Sequence, residues 1–238
     1  MRGSFWLALV LTAIGLYGGL VLAPIDYLQG ETFRIIYIHV PAAVSSMSIF
    51  VFMAVQGAAA LIWRIKICEI FVVCAAPIGA MFTAVTLVTG MLWGKPTWGT
   101  YWIWDARLTS ELVLLFLYLG VIALYQSYSD LRAGARAASI LALIGVVNVP
   151  IIHYSVHWWS TLHQGETITL TDSKMHASML WPLLVMFVAS KLYFLGSLLM
   201  RARVTLIQQE SGKAWVRQAL AIDMPSTISK PVNSGALT

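Results

Sequence analysis

Six apolar stretches, each close to the length that crosses a bilayer, constrain this chain more than any other feature. They run from Phe5 to Pro24, from about Val40 to Trp63, from Ile70 to about Trp93, from Leu112 to Tyr128, from Ala137 to about His157, and from Met175 to Met200. A hydrocarbon core of about 30 Å takes roughly 20 residues of helix to cross. Inside it every backbone N–H and C=O must be satisfied within the protein, so such runs fold as helices. Composition points the same way. Of the 238 residues 59% are hydrophobic and 11% are charged, whereas a soluble domain carries about 25% charge. The predicted fold class is all-α, a polytopic membrane protein with six transmembrane helices. Residues 1–200 form the helical domain, with outer loops at about 25–39, 94–111 and 158–174, and residues 201–238 form a polar tail. A soluble catalytic domain and a disordered chain are excluded, and two cysteines are too few for a secreted disulfide scaffold.

Basic residues set the expected orientation, because cytoplasmic loops of membrane proteins carry the excess of Lys and Arg. One side collects ten: Arg2, Arg64, Lys66, Arg132, Arg136, Arg201, Arg203, Lys213, Arg217 and Lys230. The other holds four, Arg34, Lys95, Arg107 and Lys174, while Lys191 sits inside the last helix. Both termini are then cytoplasmic and the three loops face outward. The first stretch reads as an uncleaved span rather than a signal peptide, since no small-residue cleavage site follows it. In the tail, Arg201 to Leu220 suits a short surface helix, and the Pro/Ser/Gly-containing end is expected to be disordered.

The chemically suggestive residues gather on the outer side. Six of the ten tryptophans lie there: Trp93, Trp98, Trp102, Trp104, Trp158 and Trp159. Trp favours both membrane interfaces, and such a belt accounts for Trp6, Trp63 and Trp215. It accounts less well for Trp93, Trp98, Trp102 and Trp104 within twelve residues. Gly94, Pro96 and Gly99 are expected to break helix there, so the loop can present a flat, rigid platform to a large planar apolar ligand. Belt and platform fit these residues equally well.

Histidine adds weight to the platform. Neutral imidazole is a common axial ligand of haem iron, and His39 and His163 come from different outer segments that flank the aromatic loop. His153 and His157, four apart, share a helix face; each of the five histidines serves equally well as a structural hydrogen-bond partner. Haem propionates need cations at the water boundary, and Arg34 and Arg107 are the candidates, or else snorkel at helix ends. Asp105 and Glu111 are possible partners of Arg107, and Asp105 is placed to cap the fourth helix. Cys68 and Cys74 form neither a CxxC nor a CxxCH motif, and without HExxH a zinc hydrolase has little support. Two other classes stay open. A b-type transmembrane cytochrome wants histidine pairs deep in facing helices. A small-solute transporter subunit wants ionisable residues near the midplane, where Lys191 is the clear one.

Trp98-Gly99-Thr100-Tyr101-Trp102-Ile103-Trp104-Asp105 fits the WGxxWxWD signature of the haem-handling WWD membrane proteins. Within them, the size, the six spans and the flanking His39 and His163 resemble the CcmC family (cytochrome c maturation protein C) over nearly the whole chain up to the tail. CcmF and CcsA relatives are generally larger. The resemblance implies a protein of the bacterial inner membrane that holds haem b at its periplasmic face. It makes His39 and His163 the axial ligands and Trp98, Trp102, Trp104 and Asp105 the platform, and assigns no role to His153, His157 or His176. It also implies partners: the ABC-transporter subunits CcmA and CcmB, the small membrane protein CcmD, and the haem chaperone CcmE, to which haem is passed covalently. The work of such a protein is positioning rather than side-chain acid–base chemistry.

Overall fold

The structure, a computed structural model, describes residues 2–159, 161, 163 and 175–222. Its helices are α1 (Arg2–Tyr17, continued by a π turn over Gly18–Leu22), α2 (Ile36–Trp63, entered through a 3-10 turn over Glu31–Ile35), α3 (Lys66–Trp98) and α4 (Ala106–Gln126). They are followed by α5 (Leu131–Gly145), α6 (Asn148–Trp158), α7 (Ala177–Gln209) and α8 (Ala214–Ile222). Among the described residues six helical stretches are long and apolar enough to cross a membrane, with α5 and α6 together making the fifth, and there is no β-strand.

Local chemistry sets the helix ends. Arg64, in the left-handed region at φ 55°, turns the chain between α2 and α3. Gly99, at φ 80°, ends α3, and its N–H returns to the Lys95 carbonyl at 3.1 Å, the conformation in which glycine carries no Cβ penalty. Asp105 and Asp130 cap α4 and α5 by accepting from the N–H groups of Leu108 and Arg132. His176 caps α7 through Ser178, so this histidine has a structural task. Pro150 lies in the first turn of α6, where its missing N–H removes no helical bond.

The connections leading into α2 and α4 are shorter than the sequence suggests. α3 runs through Gly94 and Pro96 and stops only at Gly99, and α4 begins at Ala106, so the connection is 99–105 rather than 94–111. Pro96 removes the helical bond to the Leu92 carbonyl, and the Thr97 hydroxyl donates to the next carbonyl along, that of Trp93, at 2.7 Å. Gly94 lets the Trp98 ring close down, since a Cβ at that position would lie 3.0 Å from it. The 3-10 turn and α2 likewise take up most of 25–39. Most of 158–174, including Lys174, and the tail beyond 222 with Lys230 lie outside the described residues. Of the tail that is described, residues 201–209 extend α7 and α8 follows.

In the bundle α2 packs on α3 and α5, α4 on α3, α5 and α6, and α1 on α7. Phe50, Met53, Ile70, Leu114 and Tyr118 are among the fully buried residues at its centre. Tyr118 donates to the Ser46 carbonyl at 2.6 Å, and the Ser46 hydroxyl reaches Glu111 Oε1 at 2.9 Å. Gly79 makes room for that tyrosine: an added Cβ would lie 2.2 Å from its ring. Gly79→Ala should therefore lower the melting temperature of the detergent-purified protein. Overpacking costs about 1–3 kcal/mol, against a helix-propensity gain of at most about 1 kcal/mol. An unchanged or raised melting temperature would show that the Tyr118 ring can retreat.

At the end of the bundle where α3 begins, Lys66 pairs with Glu210, and Trp215 Nε1 donates to the same carboxylate at 2.6 Å. These two donors hold Glu210 below the usual carboxylate range. Arg136 and Glu69 lie 3.6 Å apart at the same end. Within the spans, the Lys191 amine donates to Ser48 Oγ at 2.5 Å and to Ser45 Oγ at 3.4 Å, bridging α7 to α2.

Candidate functional site

The other end of the bundle, where α3 finishes and α4 starts, collects the residues singled out in the sequence. Its first part is built on His39, in the opening turn of α2. The His39 ring lies against α3: Nδ1 is 3.0 Å from Thr89 Oγ1, and an added Cβ on Gly90 would fall 3.2 Å from Cε1. The Trp93 ring stands edge-on to it, 5.6 Å between centroids. Trp93 is held in turn by Gln29, whose Oε1 accepts from the indole N–H at 2.8 Å. Gln29 is itself fixed by the Asp26 turn, where the carboxylate accepts from the N–H groups of Leu28 and Gln29.

The second part is built on His163. Asp105 divides its carboxylate between two tasks. Oδ1 caps α4 by accepting from Leu108 N–H at 2.7 Å, and Oδ2 lies 3.2 Å from His163 Nδ1. The Trp98 ring, on the last residue of α3, meets the imidazole edge-on at 4.8 Å. Burial and then the nearby Arg107 hold His163 below its ordinary pKa, against the opposing pull of Asp105. The neutral ring, the form that binds a metal, thus persists to lower pH than in an exposed histidine.

Arg107 joins the two parts. It lies close enough for its charge to act on His39, His163 and Glu111, and His163 acts on His39 as well. Arg34 is placed differently. It pairs with Glu31 and donates from Nη1 to the Gly19 carbonyl at 2.9 Å, tying the start of α2 to the end of α1. The two arginines are equivalent in the sequence; in the fold Arg107 lies with the histidines, and Arg34 at the junction of α1 and α2.

The tryptophans do not form a flat slab. Trp102 and Trp104 stand edge-to-face, 5.3 Å apart at 76°, and Trp104 is 77% exposed. Edge-to-face contact is the arrangement the aromatic quadrupole favours; Trp102 and Trp104 pair with each other in this way, while Trp93 and Trp98, on α3, pair with His39 and His163. Trp102 Nε1 and Thr161 Oγ1 are buried without a hydrogen-bond partner among the described residues. Such groups are rarely left unsatisfied, and a ligand with acceptor oxygens would satisfy the indole donor. His153 and His157 lie on α6, where His153 packs against Tyr154 and Tyr154 stacks on Trp158. Among the described residues no group of three or more His, Cys, Asp and Glu is arranged to hold a bare metal ion. What the site offers is two imidazoles and a cation, among aromatic rings.

The sequence matches the family described as CcmC: Heme exporter protein C over residues 2–217. The chain belongs to the CcmC family. It is 50% identical over 220 residues to heme exporter protein C of Escherichia coli K12, covering 90% of this chain and 88% of that protein. The heme exporter protein C of Haemophilus influenzae is 47% identical over 213 residues, or 89% and 87% of the two chains. That of Bradyrhizobium diazoefficiens is 49% identical over 193 residues, or 79% and 73%.

In this CcmC-family chain several residues that shape the site carry no motif of their own. Thr89 and Gly90 read only as part of an apolar span. A signal was present in the recurrence of Thr83, Thr86, Gly90 and Trp93 at helical spacing, a small and polar face of the kind helices use for close approach. Ser46 gave no sign that it meets Glu111, because a hydrogen bond across 65 residues of sequence is set by packing.

Proposed function

We propose that this protein binds haem b between His39 and His163 and presents it for covalent transfer to the haem chaperone CcmE. In this reading it is a subunit of a haem export and loading complex, with CcmA, CcmB and CcmD, in c-type cytochrome biogenesis. What supports it is the gathering at one end of the bundle of His39, seated on α3 by Thr89 and Trp93, and His163, held by Asp105 and Trp98 where α3 ends and α4 begins. Each imidazole has its Nδ1 engaged, by Thr89 and by Asp105, which turns Nε2 toward a ligand, the arrangement typical of metal-binding histidines. Arg107 pairs with a propionate, and Arg34 offers the second through guanidinium donors that Glu31 and Gly19 do not use. Trp98, Trp102 and Trp104 pack on the macrocycle, and Asp105 orients His163.

The basic residues at the Lys66 end favour a cytoplasmic position for it and for both termini. The histidine site then faces the periplasm from the inner membrane. Haem brings the iron and the reactive vinyl group; the chain supplies ligation, charge and exclusion of water. The test uses protein purified in mild detergent, loaded with haem and mixed with CcmE. A haem–CcmE adduct that survives denaturing electrophoresis is expected, and none without this chain. Failure to take up haem under any loading condition would overturn the reading.

A further inference from the structure

We propose that Thr89 is a positioning residue that fixes the tautomer of His39. The inference rests on the reading of His39 as an axial ligand and deepens it. A threonine hydroxyl has one hydrogen to donate and can also accept. Here that hydrogen is spent within α3: Thr89 Oγ1 lies 2.6 Å from the Val85 carbonyl and 3.2 Å from that of Thr86, and carbonyl oxygens only accept. At 3.0 Å from His39 Nδ1, the hydroxyl oxygen is therefore the acceptor and Nδ1 carries the proton. The lone pair of a neutral imidazole then resides on Nε2.

The rest of the seat agrees. Gly90 lets the ring lie close to the α3 backbone, with its Cε1 edge 3.2 Å from where a Cβ would be. Trp93, one turn beyond Thr89, closes on the ring edge-on. The ring therefore has little freedom to flip and exchange its nitrogens. The two sides of the site also differ in kind. His163 gives its Nδ1–H to a carboxylate, and His39 faces neutral acceptors, the Thr89 hydroxyl with the Thr86 carbonyl beside it. The weaker acceptor leaves His39 the less electron-rich of the two imidazoles.

The test is made on the full-length protein with ¹⁵N-labelled histidine, using wild type, Thr89→Val and Thr89→Ser, with the His39 signals assigned by their loss in His39→Asn. In the haem-free wild type, nitrogen shifts should report a protonated Nδ1 and a bare Nε2. Thr89→Val, nearly isosteric but without an acceptor, should mix the tautomers, and Thr89→Ser should restore the wild-type pattern. Haem affinity should fall roughly 10-fold in the valine variant, at the low end of the 10–100-fold typical of outer-shell partners, and recover with serine. An Nε2–H tautomer in the wild type, or an unchanged tautomer in Thr89→Val, would overturn the proposal. A tautomer shift with unchanged haem affinity would uphold the Thr89 seat and overturn the ligand reading of His39.

Discussion

His39→Ala and His163→Ala should each lower haem affinity by on the order of 100-fold or more, since losing a ligand costs more than losing the outer-shell group behind it. Each variant removes one of two Nε2 donors that arrive from separate elements, His39 from α2 and His163 from the segment after α6. The residual haem should be five-coordinate and high-spin, and the double variant should retain none. Absorbance titration of the purified variants reads both effects. The controls are on the same bundle: His153→Ala and His176→Ala should leave the haem spectrum as it is. His176 caps α7, so its loss should appear in thermal stability instead. Wild-type spectra in both ligand variants would sink the ligand assignment. A redox-active pair of haems would point instead to a b-type cytochrome.

Asp105→Asn should lower haem affinity by about 10–100-fold while leaving the melting temperature of the haem-free protein nearly unchanged. Asparagine caps a helix about as well as aspartate, so the Oδ1 contact with Leu108 N–H survives and α4 starts where it did. The other arm changes from acceptor to donor. An amide N–H₂ beside His163 Nδ1 favours the tautomer with Nδ1 bare and Nε2 protonated, and that ring has no lone pair to offer iron. The same loss of tautomer control accounts for the fall in rate when the triad aspartate of a serine protease becomes asparagine. Asp105→Ala should match the affinity loss and add about 1 kcal/mol of destabilisation from the lost cap. Haem titration and thermal unfolding on the two variants separate the tasks. Full haem affinity in Asp105→Asn would show that the carboxylate serves α4 alone.

The six spans were legible because a bilayer imposes a local requirement. About 20 apolar residues in a row are needed wherever the chain crosses, and each stretch can be judged without knowing its neighbours. The Asp105 cap was legible for the same reason, since a cap acts within three residues of itself. The end of α3 was misjudged because helix breakers were weighed by residue type. Pro96 and Gly94 sit inside the helix, which loses a single bond at Pro96, with Gly94 accepting the Trp98 ring, and of these residues only Gly99 takes up a left-handed turn. The tryptophan geometry was not legible either, because the edge-to-face angle between Trp102 and Trp104 and the contact of Trp98 with His163 are set by packing rather than by spacing.

The signature Trp98–Asp105 and its flanking histidines were enough to point to the family and to the two candidate ligands. Arg34 and Arg107 were equivalent as letters, and only packing separated them. Arg34 is anchored to Glu31 and the Gly19 carbonyl where α1 meets α2, and Arg107 is set among His39, His163 and Glu111. Thr89 became visible only when α3 was laid against α2, for its contact with His39 spans 50 residues of sequence. Asp105 and His163 meet across 58. Hydropathy, spacing and caps act along the chain, so sequence alone determined the number of spans and the identity of the chemical groups. Which hydroxyl meets His39 and which carboxylate meets His163 depend on atoms a few ångströms apart on distant segments, and the tertiary structure decided both.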